Sequence, residues 1–467
     1  MSQQSLNVIL VTIDALRADH LGCYGYSRCT SPNIDKLASK GVLFQEAISN
    51  GGDTPSSFPS MLASQPPPIA EEEYMLSAKQ KLTLAELLNR SGYRTAAYHC
   101  NPYVTRFFHY DRGFEVFEDT LHALRRVRKT KTGKRKLQVV GRPQTFFSKV
   151  LTKIGYLRNH LLYSLGMPSG IPAEKLTSQA ISWLDKCQSS FFLWLHYMDT
   201  HFPYLPPSNY AREFCKHHIS RYRMSALYLK QLENFASSER LSLTQIESLI
   251  NLYDASISYT DDNLGRLFES LGNRSENTII VVTADHGEVF GEHGSLGHGL
   301  LYEELVRVPL VIAGGGLRAG TMVKEAVELM DLAPTIADLA GVGSAGSFHG
   351  QSLLPVISCG RRKTKGIISA AISPLLAKRS LAYRTPEWKY IRGEGIYQAN
   401  ALLSEEIYNL INDPRESNNL HGSRDKEARA FQVEAIDRLQ RFKQHKRAYK
   451  TESEKGRIRA KLKEISK

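Results

Sequence analysis

The chain has 467 residues and a formal net charge of +13, with 42% hydrophobic and 23% charged residues, which is the balance of an ordinary folded globular protein. This length can bury a large core and predicts one large domain accompanied by a smaller one. No apolar run approaches the about 18–20 residues that a membrane-spanning helix requires, and the first residues lack the basic start of a secretory leader, so we expect a cytoplasmic protein.

The positive charge is concentrated in two segments, residues 125–136 and the tail after residue 420. Such clusters are most often solvated faces, but they can also attract an anionic partner such as a polyanionic substrate or an anionic lipid surface. No fold motif for reading nucleic acid accompanies them, so we expect no nucleic-acid partner. The six cysteines show no paired spacing, which argues against a structural zinc site.

In chain order, strand-like apolar runs alternate with helix-like segments, as in proteins built on a parallel sheet. The predicted strands are 8–13, 94–99, 191–197, 278–283 and 308–313. The predicted helices are 31–40, 82–91, 175–187, 242–270 and 332–340. The predicted fold is therefore α/β, with a large mixed, mostly parallel sheet sandwiched by helices and a smaller α+β region towards the C-terminal end.

The pattern predicts a catalytic α/β domain at 1–342, which contains a basic and helical insertion at 121–169. A smaller C-terminal subdomain follows at 343–421, and a basic helical tail follows at 422–467. In the long helix near the end of the first domain, Asp254, Asp261 and Asp262 are predicted to be surface residues.

Two predicted strands end in acidic residues. The first strand runs into Asp14, and the strand at 278–283 is followed by Asp285 and His286. In an open α/β sheet the carboxyl ends of the strands face the ligand crevice, so these side chains are predicted to share one site. Two carboxylates and an imidazole can hold one divalent cation, and this ligand set suits Mn²⁺, Mg²⁺, Ca²⁺ or Zn²⁺ without choosing between them.

Other polar residues fit the same crevice. A Gly/Pro/Ser-rich run carries Thr54, Ser56 and Ser57, whose hydroxyls could lie at a helix N-terminus that favours anions, although any one of them could equally be a helix cap. His201 and His298 lie in loops that follow strands and are candidates for acid–base work. A nucleophile, a Lewis acid and a proton donor are together what the transfer of a sulfate or phosphate group needs.

With these motifs in place, the chain resembles the sulfatase family within the alkaline phosphatase superfamily. Matching motifs occur in family order at 7–25, 30–38, 196–207, 283–309, 331–335 and 407–414. The resemblance covers roughly residues 7–420, and several motifs are too long to be coincidental. It implies an enzyme that hydrolyses or transfers sulfuric or phosphoric esters.

The resemblance also implies roles for single residues. Asp14, Asp285 and His286 fall on metal-ligand positions, and Thr54 falls on the position of the nucleophile beside the metal. Ile13 replaces the first of the two aspartates that are usual in the family, and His286 replaces the asparagine of calcium-type members. The implied metal site therefore has one carboxylate fewer than usual.

His201 falls on the substrate-contacting histidine of the family, and His298 lies where many sulfatases place a lysine that contacts the transferred group. Residues 54–58 read Thr-Pro-Ser-Ser-Phe, whereas typical sulfatases carry Cys/Ser-x-Pro-x-Arg, which is converted to formylglycine. The resemblance therefore implies a route without formylglycine. With a threonine at the nucleophile position, the chain is similar to the branch of the family that transfers phosphoethanolamine or phosphoglycerol groups.

Three functions are compatible with this reading. The leading hypothesis is a metal-dependent hydrolase that cleaves an anionic sulfate or phosphate ester through Thr54, with one divalent metal ion. The second is a transferase that passes a phosphoryl-alcohol group to a glycan or lipid, with the basic segments contacting an anionic membrane peripherally. The third is a metal-binding, catalytically weak relative.

Overall fold

The computed structural model describes residues 6–76, 82–119, 170–215, 241–343, 346, 348–360, 366–373, 378–395 and 404–465. The insertion predicted at 121–169, with its basic cluster, lies outside the described residues.

The strands in chain order are β1 (Asn7–Ile13), β2 (Gly41–Ile48), β3 (Arg94–Tyr98), β4 (Val116–Glu118), β5 (Phe191–Tyr197), β6 (Thr278–Ala284), β7 (Val289–Phe290), β8 (Leu296–Gly297), β9 (Arg307–Ala313), β10 (Thr321–Val323), β11 (Val327–Glu328), β12 (Ile367–Ser373), β13 (Lys378–Arg384), β14 (Trp388–Gly395) and β15 (Ser404–Asn409). The α-helices are α1 (Pro32–Ser39), α2 (Thr54–Ala63), α3 (Leu84–Arg90), α4 (Ala173–Leu184), α5 (Ser208–Phe214), α6 (Leu243–Ser270), α7 (Glu303–Val306), α8 (Leu332–Leu339), α9 (Leu354–Cys359) and α10 (Lys426–Ile465).

Nine of the described strands form one large sheet in the order β10-β2-β9-β6-β1-β5-β3-β4, with β11 beside β2. Strand β9 runs antiparallel to its neighbours β2 and β6, and the other pairs are parallel. Two groups of helices cover this sheet, one made of α1, α4, α5 and α6 and the other of α2, α3 and α8. Strands β12 to β15 form a separate antiparallel sheet. The predicted fold class is therefore confirmed.

The central strands β1, β5 and β6 are apolar almost throughout because helices cover both faces of the sheet. Strand β2 was not predicted, although it is one of the longer strands of the sheet. Its partly exposed Gln45 and Glu46 interrupt the apolar run where the pairing with β9 shifts register between Phe44 and Ala47. Such a bulge breaks the alternation by which a strand is recognised in sequence.

The prediction that the acidic residues of α6 lie at the surface is wrong for two of the three. Asp254 is fully buried and accepts hydrogen bonds from His20 Nδ1 at 2.7 Å and Arg28 Nη1 at 2.6 Å. Asp261 is buried as well, and its carboxylate caps the start of α1 by accepting from the backbone N–H of Asn33 at 2.8 Å. Only Asp262 is exposed, because the chain between β1 and α1 covers the polar side of α6 elsewhere.

The small sheet carries the C-terminal helix α10 on one face. Ala428, Phe431, Ala435 and Leu439 of this helix are buried in one apolar cluster with residues of β12 to β15. Their spacing of three or four residues is that of one helical face, so the start of the predicted basic tail packs on the small sheet as an amphipathic helix. None of the described helices combines the length and the apolar composition that a membrane-spanning segment requires.

Candidate active site

The carboxyl ends of β1 and β6 bring two aspartates together. These strands are parallel neighbours whose last residues, Ile13 and Ala284, lie side by side, so Asp14 and Asp285 follow at the same level of the sheet. Both side chains are fully buried. The backbone N–H of Ala15 donates to Asp285 Oδ1 at 3.3 Å and so links the two strand ends directly. The structure therefore brings these two predicted site residues together.

His286 points its Nε2 atom at both carboxylates. The distances from Nε2 are 3.7 Å to Asp14 Oδ1 and 3.5 Å to Asp285 Oδ2. Its Nδ1 lies 2.8 Å from the carbonyl oxygen of Gly287, which can only accept a hydrogen bond, so Nδ1 carries the proton and Nε2 keeps its lone pair. Gly287 is required here, because an added Cβ would lie 1.9 Å from the carbonyl oxygen of Glu304.

Of the three candidate hydroxyls, that of Thr54 contacts Asp285 and His286. Thr54 is the first residue of α2, after the N-cap Asp53, and its Oγ1 lies 2.8 Å from Asp285 Oδ2 and 3.4 Å from His286 Nε2. The backbone N–H of Ser56 donates to Asp53 Oδ1, and the Ser57 hydroxyl lies 3.5 Å from the carbonyl oxygen of Thr54. The N-terminus of α2 thus presents Thr54 to the strand ends, while its cap is supplied by Asp53.

Two residues that the sequence did not single out complete the cluster. His196 lies on β5, on the other side of β1, and its Nε2 is 3.2 Å from Asp14 Oδ2. Asn101 follows β3, and its Nδ2 lies 2.8 Å from Asp14 Oδ2 and 3.4 Å from Thr54 Oγ1. Donor atoms of Asp14, His196 and Asp285 all lie within 4.8 Å of one another. In the sequence, His196 is an imidazole inside an otherwise apolar strand and the first residue of the motif at 196–207, with no role of its own.

His201 and His298 stand beside the cluster without entering it. The ring of His298 lies 4.6 Å from that of His286 and 5.2 Å from that of His201, measured between centroids. His298 Nδ1 is 3.6 Å from Oε1 of the fully buried Glu288, whose other oxygen accepts from Tyr204 at 3.1 Å. His298 is therefore held by a carboxylate that sequence reasoning did not identify.

Burial and neighbouring charges oppose one another at these groups. Burial acts to raise the pKa of Asp14, but the imidazoles of His201, His196 and His286 hold it far below its usual range. Burial disfavours the charged form of His298, yet the Glu288 carboxylate outweighs it and raises the pKa of His298 to about 9. For His201, burial prevails over the attraction of Asp14, and its pKa is lowered.

The residues fit a divalent cation. Asp14 Oδ1 is buried and has no hydrogen-bond partner among the described residues, which is costly for a carboxylate oxygen unless a cation or water satisfies it. Two carboxylates, the Nε2 lone pair of His286 and the Thr54 hydroxyl surround the same space. Oxygen and imidazole donors of this kind bind Mn²⁺, Zn²⁺, Ca²⁺ and Mg²⁺ in proteins.

Two family models and a curated relative match the chain. The family model described as Sulfatase matches residues 6–342, and the one described as N-sulphoglucosamine sulphohydrolase, C-terminal, matches residues 291–445. Iduronate 2-sulfatase of Mus musculus is 26% identical over 421 residues, which covers 72% of this chain and 69% of the relative.

Two solved structures share the fold. The phosphonate monoester hydrolase of Agrobacterium radiobacter superposes with a TM-score of 0.68 at 20% identity, over 94% of this chain and 96% of the other. A protein in complex with its substrate D-glucosamine-2-N,6-O-disulfate gives a TM-score of 0.68 at 20% identity, over 94% and 98% of the two chains. Because the Sulfatase model matches well over half of its residues, this chain belongs to the sulfatase family of ester hydrolases, within the alkaline phosphatase superfamily.

Proposed function

We propose that this protein is a metal-dependent hydrolase of sulfate or phosphate esters and that Thr54 is its nucleophile. The observation that supports this most directly is the 2.8 Å contact between Thr54 Oγ1 and Asp285 Oδ2, with His286 Nε2 at 3.4 Å. An ordinary threonine hydroxyl is a weak nucleophile, and metal coordination is one of the ways in which proteins activate it. The contact of Thr54 with Asp285, which neither Ser56 nor Ser57 makes, supports this choice among the three candidate hydroxyls.

Asp14, Asp285, His286 and Thr54 would hold the metal ion. When bound, the ion supplies Lewis-acid stabilisation of the transferred group and lowers the pKa of the threonine hydroxyl. The chain's own contribution is to fix the donors before substrate arrives. Asp14 and Asp285 are set by the pairing of β1 with β6, and His286 is oriented by its hydrogen bond to the carbonyl oxygen of Gly287.

The first step is attack of Thr54 Oγ1 on the sulfur or phosphorus atom. Asp285 Oδ2 accepts the hydroxyl proton, the new O–S or O–P bond forms, and the bond to the leaving alcohol breaks. His298, paired with Glu288, gives a proton to the departing alcohol oxygen. His201 contacts the remaining oxygens of the transferred group. The product of this step is a Thr54 ester and a free alcohol.

The second step returns the enzyme to its starting state. His298, now neutral, takes a proton from a water molecule whose oxygen attacks the same sulfur or phosphorus atom. The bond to Thr54 Oγ1 breaks, and the threonine oxygen recovers the proton held by Asp285. The overall reaction consumes one ester and one water and yields one alcohol and one sulfate or phosphate, so each group ends in its initial protonation state.

A sulfated or phosphorylated sugar is the substrate class that the relatives favour. The substrate in one neighbouring structure is D-glucosamine-2-N,6-O-disulfate, and another neighbour is a phosphonate monoester hydrolase. Both substrates present a tetrahedral anionic centre, which the imidazoles of His201 and His298 can contact. We therefore propose an anionic ester of a glycan as the substrate.

Thr54→Ala, Thr54→Ser and the control Ser60→Ala test this proposal. Ser60 is a buried hydroxyl of the same helix α2, but it does not contact the cluster among the described residues. Each variant is assayed on 4-nitrophenyl sulfate, 4-nitrophenyl phosphate and the corresponding phosphodiester, with Mn²⁺ or Ca²⁺ added. Loss of the nucleophile in Thr54→Ala should lower kcat by at least about a thousandfold, while Thr54→Ser and Ser60→Ala keep most of the activity.

Two further outcomes separate the alternatives. If product forms faster when glycerol or ethanolamine is added, and the acceptor carries the transferred group, the protein is a transferase. If metal binds but no ester is turned over, the protein is a catalytically weak relative. Full activity of Thr54→Ala would remove Thr54 from the mechanism. Trapping should place a sulfuryl or phosphoryl group on the Thr54 peptide of the unmodified protein.

A further inference from the structure

We propose that His196 is an additional ligand of the metal ion, through Nε2, so that the centre offers two imidazoles and two carboxylates. This inference rests on the metal-dependent function proposed above and extends it to the identity of the ion. The sulfatase resemblance assigned no role to this position. The position of His196 on β5 and two hydrogen-bond arrangements carry the argument.

The first observation is the position of Nε2. His196 is fully buried on β5, and the parallel pairing of β5 with β1 sets it beside Thr12, two residues before Asp14. Its Nε2 lies 3.2 Å from Asp14 Oδ2. Two ligands that are each about 2.1 Å from one ion, at an angle of about 90–110°, lie about 3.0–3.4 Å apart. The spacing between His196 and Asp14 is therefore that of neighbouring ligands on one ion.

The same test applied to the other donors gives similar values. Thr54 Oγ1 is 2.8 Å from Asp285 Oδ2, and His286 Nε2 is 3.5 Å from Asp285 Oδ2 and 3.7 Å from Asp14 Oδ1. His196 thus lies no farther from its nearest carboxylate than His286 does. On distance alone, a cluster that includes His286 as a ligand has equal reason to include His196.

The second observation concerns the proton on the imidazole. His196 Nδ1 lies 2.9 Å from Thr12 Oγ1, which also receives a hydrogen bond from Trp194 Nε1 at 3.0 Å. The Thr12 hydroxyl donates its single proton to the carbonyl oxygen of Leu195 at 3.2 Å. The hydrogen bonds of His196 Nδ1, the Thr12 hydroxyl, Trp194 Nε1 and the Leu195 carbonyl oxygen are all formed when Nδ1 of His196 carries the proton and donates it to Thr12 Oγ1. Nε2 then keeps a free lone pair, as it does in His286.

The third observation is the amide of Asn101. Its Oδ1 accepts from the backbone N–H of Tyr103 at 2.9 Å, which fixes the orientation of the amide. Its Nδ2 therefore faces His196 Nε2 at 3.3 Å. If Nε2 carried a proton, two N–H groups would face each other. A lone pair on Nε2 instead accepts a hydrogen bond from the Asn101 amide. With the lone pair on Nε2, two electron-pair donors, Nε2 and Asp14 Oδ2, face the same space, which a shared cation stabilises.

The consequence is a preference among metals. Ca²⁺ and Mg²⁺ are bound mainly by oxygen ligands, whereas imidazole suits Zn²⁺, Fe²⁺, Cu²⁺ and Ni²⁺. The imidazole of His196 reaches the cluster from strand β5, which neighbours β1. A second nitrogen among the ligands shifts the site away from Ca²⁺ and towards a transition metal.

Counting the nitrogens on the bound ion tests the proposal directly. The full chain is stripped of metal and loaded with Mn²⁺, and pulsed electron paramagnetic resonance counts the directly coordinated imidazole nitrogens. We expect two in the unmodified protein and one in each of His196→Gln and His286→Gln. His201→Gln, which removes an imidazole beside the cluster, should leave two. Far-ultraviolet circular dichroism of each variant verifies that it is folded.

Competition binding supplies a second readout that a merely structural role would not produce. Removal of a nitrogen ligand in His196→Gln should weaken Zn²⁺ binding at least about tenfold more than Ca²⁺ binding. Equal weakening of both metals would mean that His196 only positions Asp14, and the proposal would fail. A single nitrogen in the unmodified protein would also overturn it while leaving the proposed hydrolase intact. Absence of any bound divalent ion would overturn both.

Discussion

Lys389 is a fully buried cation at the junction between the small sheet and the catalytic sheet, which makes its removal an informative perturbation. Its Nζ lies 3.1 Å from Glu303 Oε1 at the start of α7 and 2.9 Å from Glu416 Oε1. Arg384 of β13 also pairs with Glu303, at 3.1 Å. Helix α7 follows the loop that carries His298, so this network connects β13 and β14 to the active-site side of the molecule.

Lys389→Met keeps the aliphatic stem and removes the charge. Removing one partner from a buried ion pair leaves an uncompensated buried charge and costs about 3–5 kcal/mol. Against a typical total of about 5–15 kcal/mol, this is a large fraction of the stability of a folded domain. A matched control is Arg94→Met, because Arg94 and its partner Glu115 are 56% and 36% exposed. The loss of that exposed pair should cost only about 0–1 kcal/mol.

The cost of Lys389→Met should also depend on pH. Burial raises the pKa of Glu416 to about 7, even though Lys389 acts in the opposite direction. A carboxyl group with a raised pKa in the folded state contributes stability that is present below its unfolded pKa and is lost as the pH rises through the folded value. Without Lys389 the pKa of Glu416 rises further, so the deficit should be smaller near about pH 5 than near about pH 8.

Urea unfolding followed by circular dichroism at these two pH values measures the effect. The double variant Lys389→Met with Glu416→Gln should recover part of the loss at the higher pH, because the uncompensated charge is then removed. A cost for Lys389→Met no larger than that of Arg94→Met, with no change between the two pH values, would refute the reasoning. It would mean that Lys389 and Glu416 are hydrated or apart in solution.

Three further predictions address the catalytic sheet. Gly287→Ala should cost about 1–3 kcal/mol in urea unfolding and weaken Mn²⁺ binding, because the new Cβ would lie 1.9 Å from the carbonyl oxygen of Glu304 and must shift the backbone next to His286. Asn101→Ala should lower kcat/KM about tenfold to a hundredfold, since it removes a hydrogen bond to Asp14. Burial raises the pKa of Asp199 to about 7, so Asp199→Asn should gain stability over the unmodified protein as the pH rises from about 4 through about 7 and then stay level. A stability difference for Asp199→Asn that is constant across this range would contradict the assignment.

The part of the site that lies just beyond strand ends could be predicted from sequence. Asp14 and Asp285 follow uninterrupted apolar runs, and parallel strands bring their carboxyl ends to one edge whatever lies between them in the chain. The register of β1 against β6 then sets the two aspartates side by side. Thr54 could be proposed as one of three hydroxyls, but only the start of α2 decides which of them faces the strands.

His196 and Asn101 could not be identified in the same way. His196 lies inside β5, where strand periodicity gives no sign that one buried side chain points to a ligand. Asn101 lies three residues beyond β3, and its contact with Asp14 depends on β3 being the neighbour of β5, which is a matter of strand order. The burial of Asp254 likewise depends on a tertiary contact, the covering of α6 by the chain after β1.

Strand order therefore accounts for how the site is assembled. Strand β1 provides Asp14, and its two neighbours provide Asp285 on one side and His196 on the other. Because side chains alternate between the faces of a sheet, a slip of one residue between β1 and β5 would turn His196 away from Asp14. The close packing of β1, β5 and β6 under two groups of helices opposes such a slip. The same apolar core that stabilises the sheet thus holds the donor atoms at the spacing that a single cation requires.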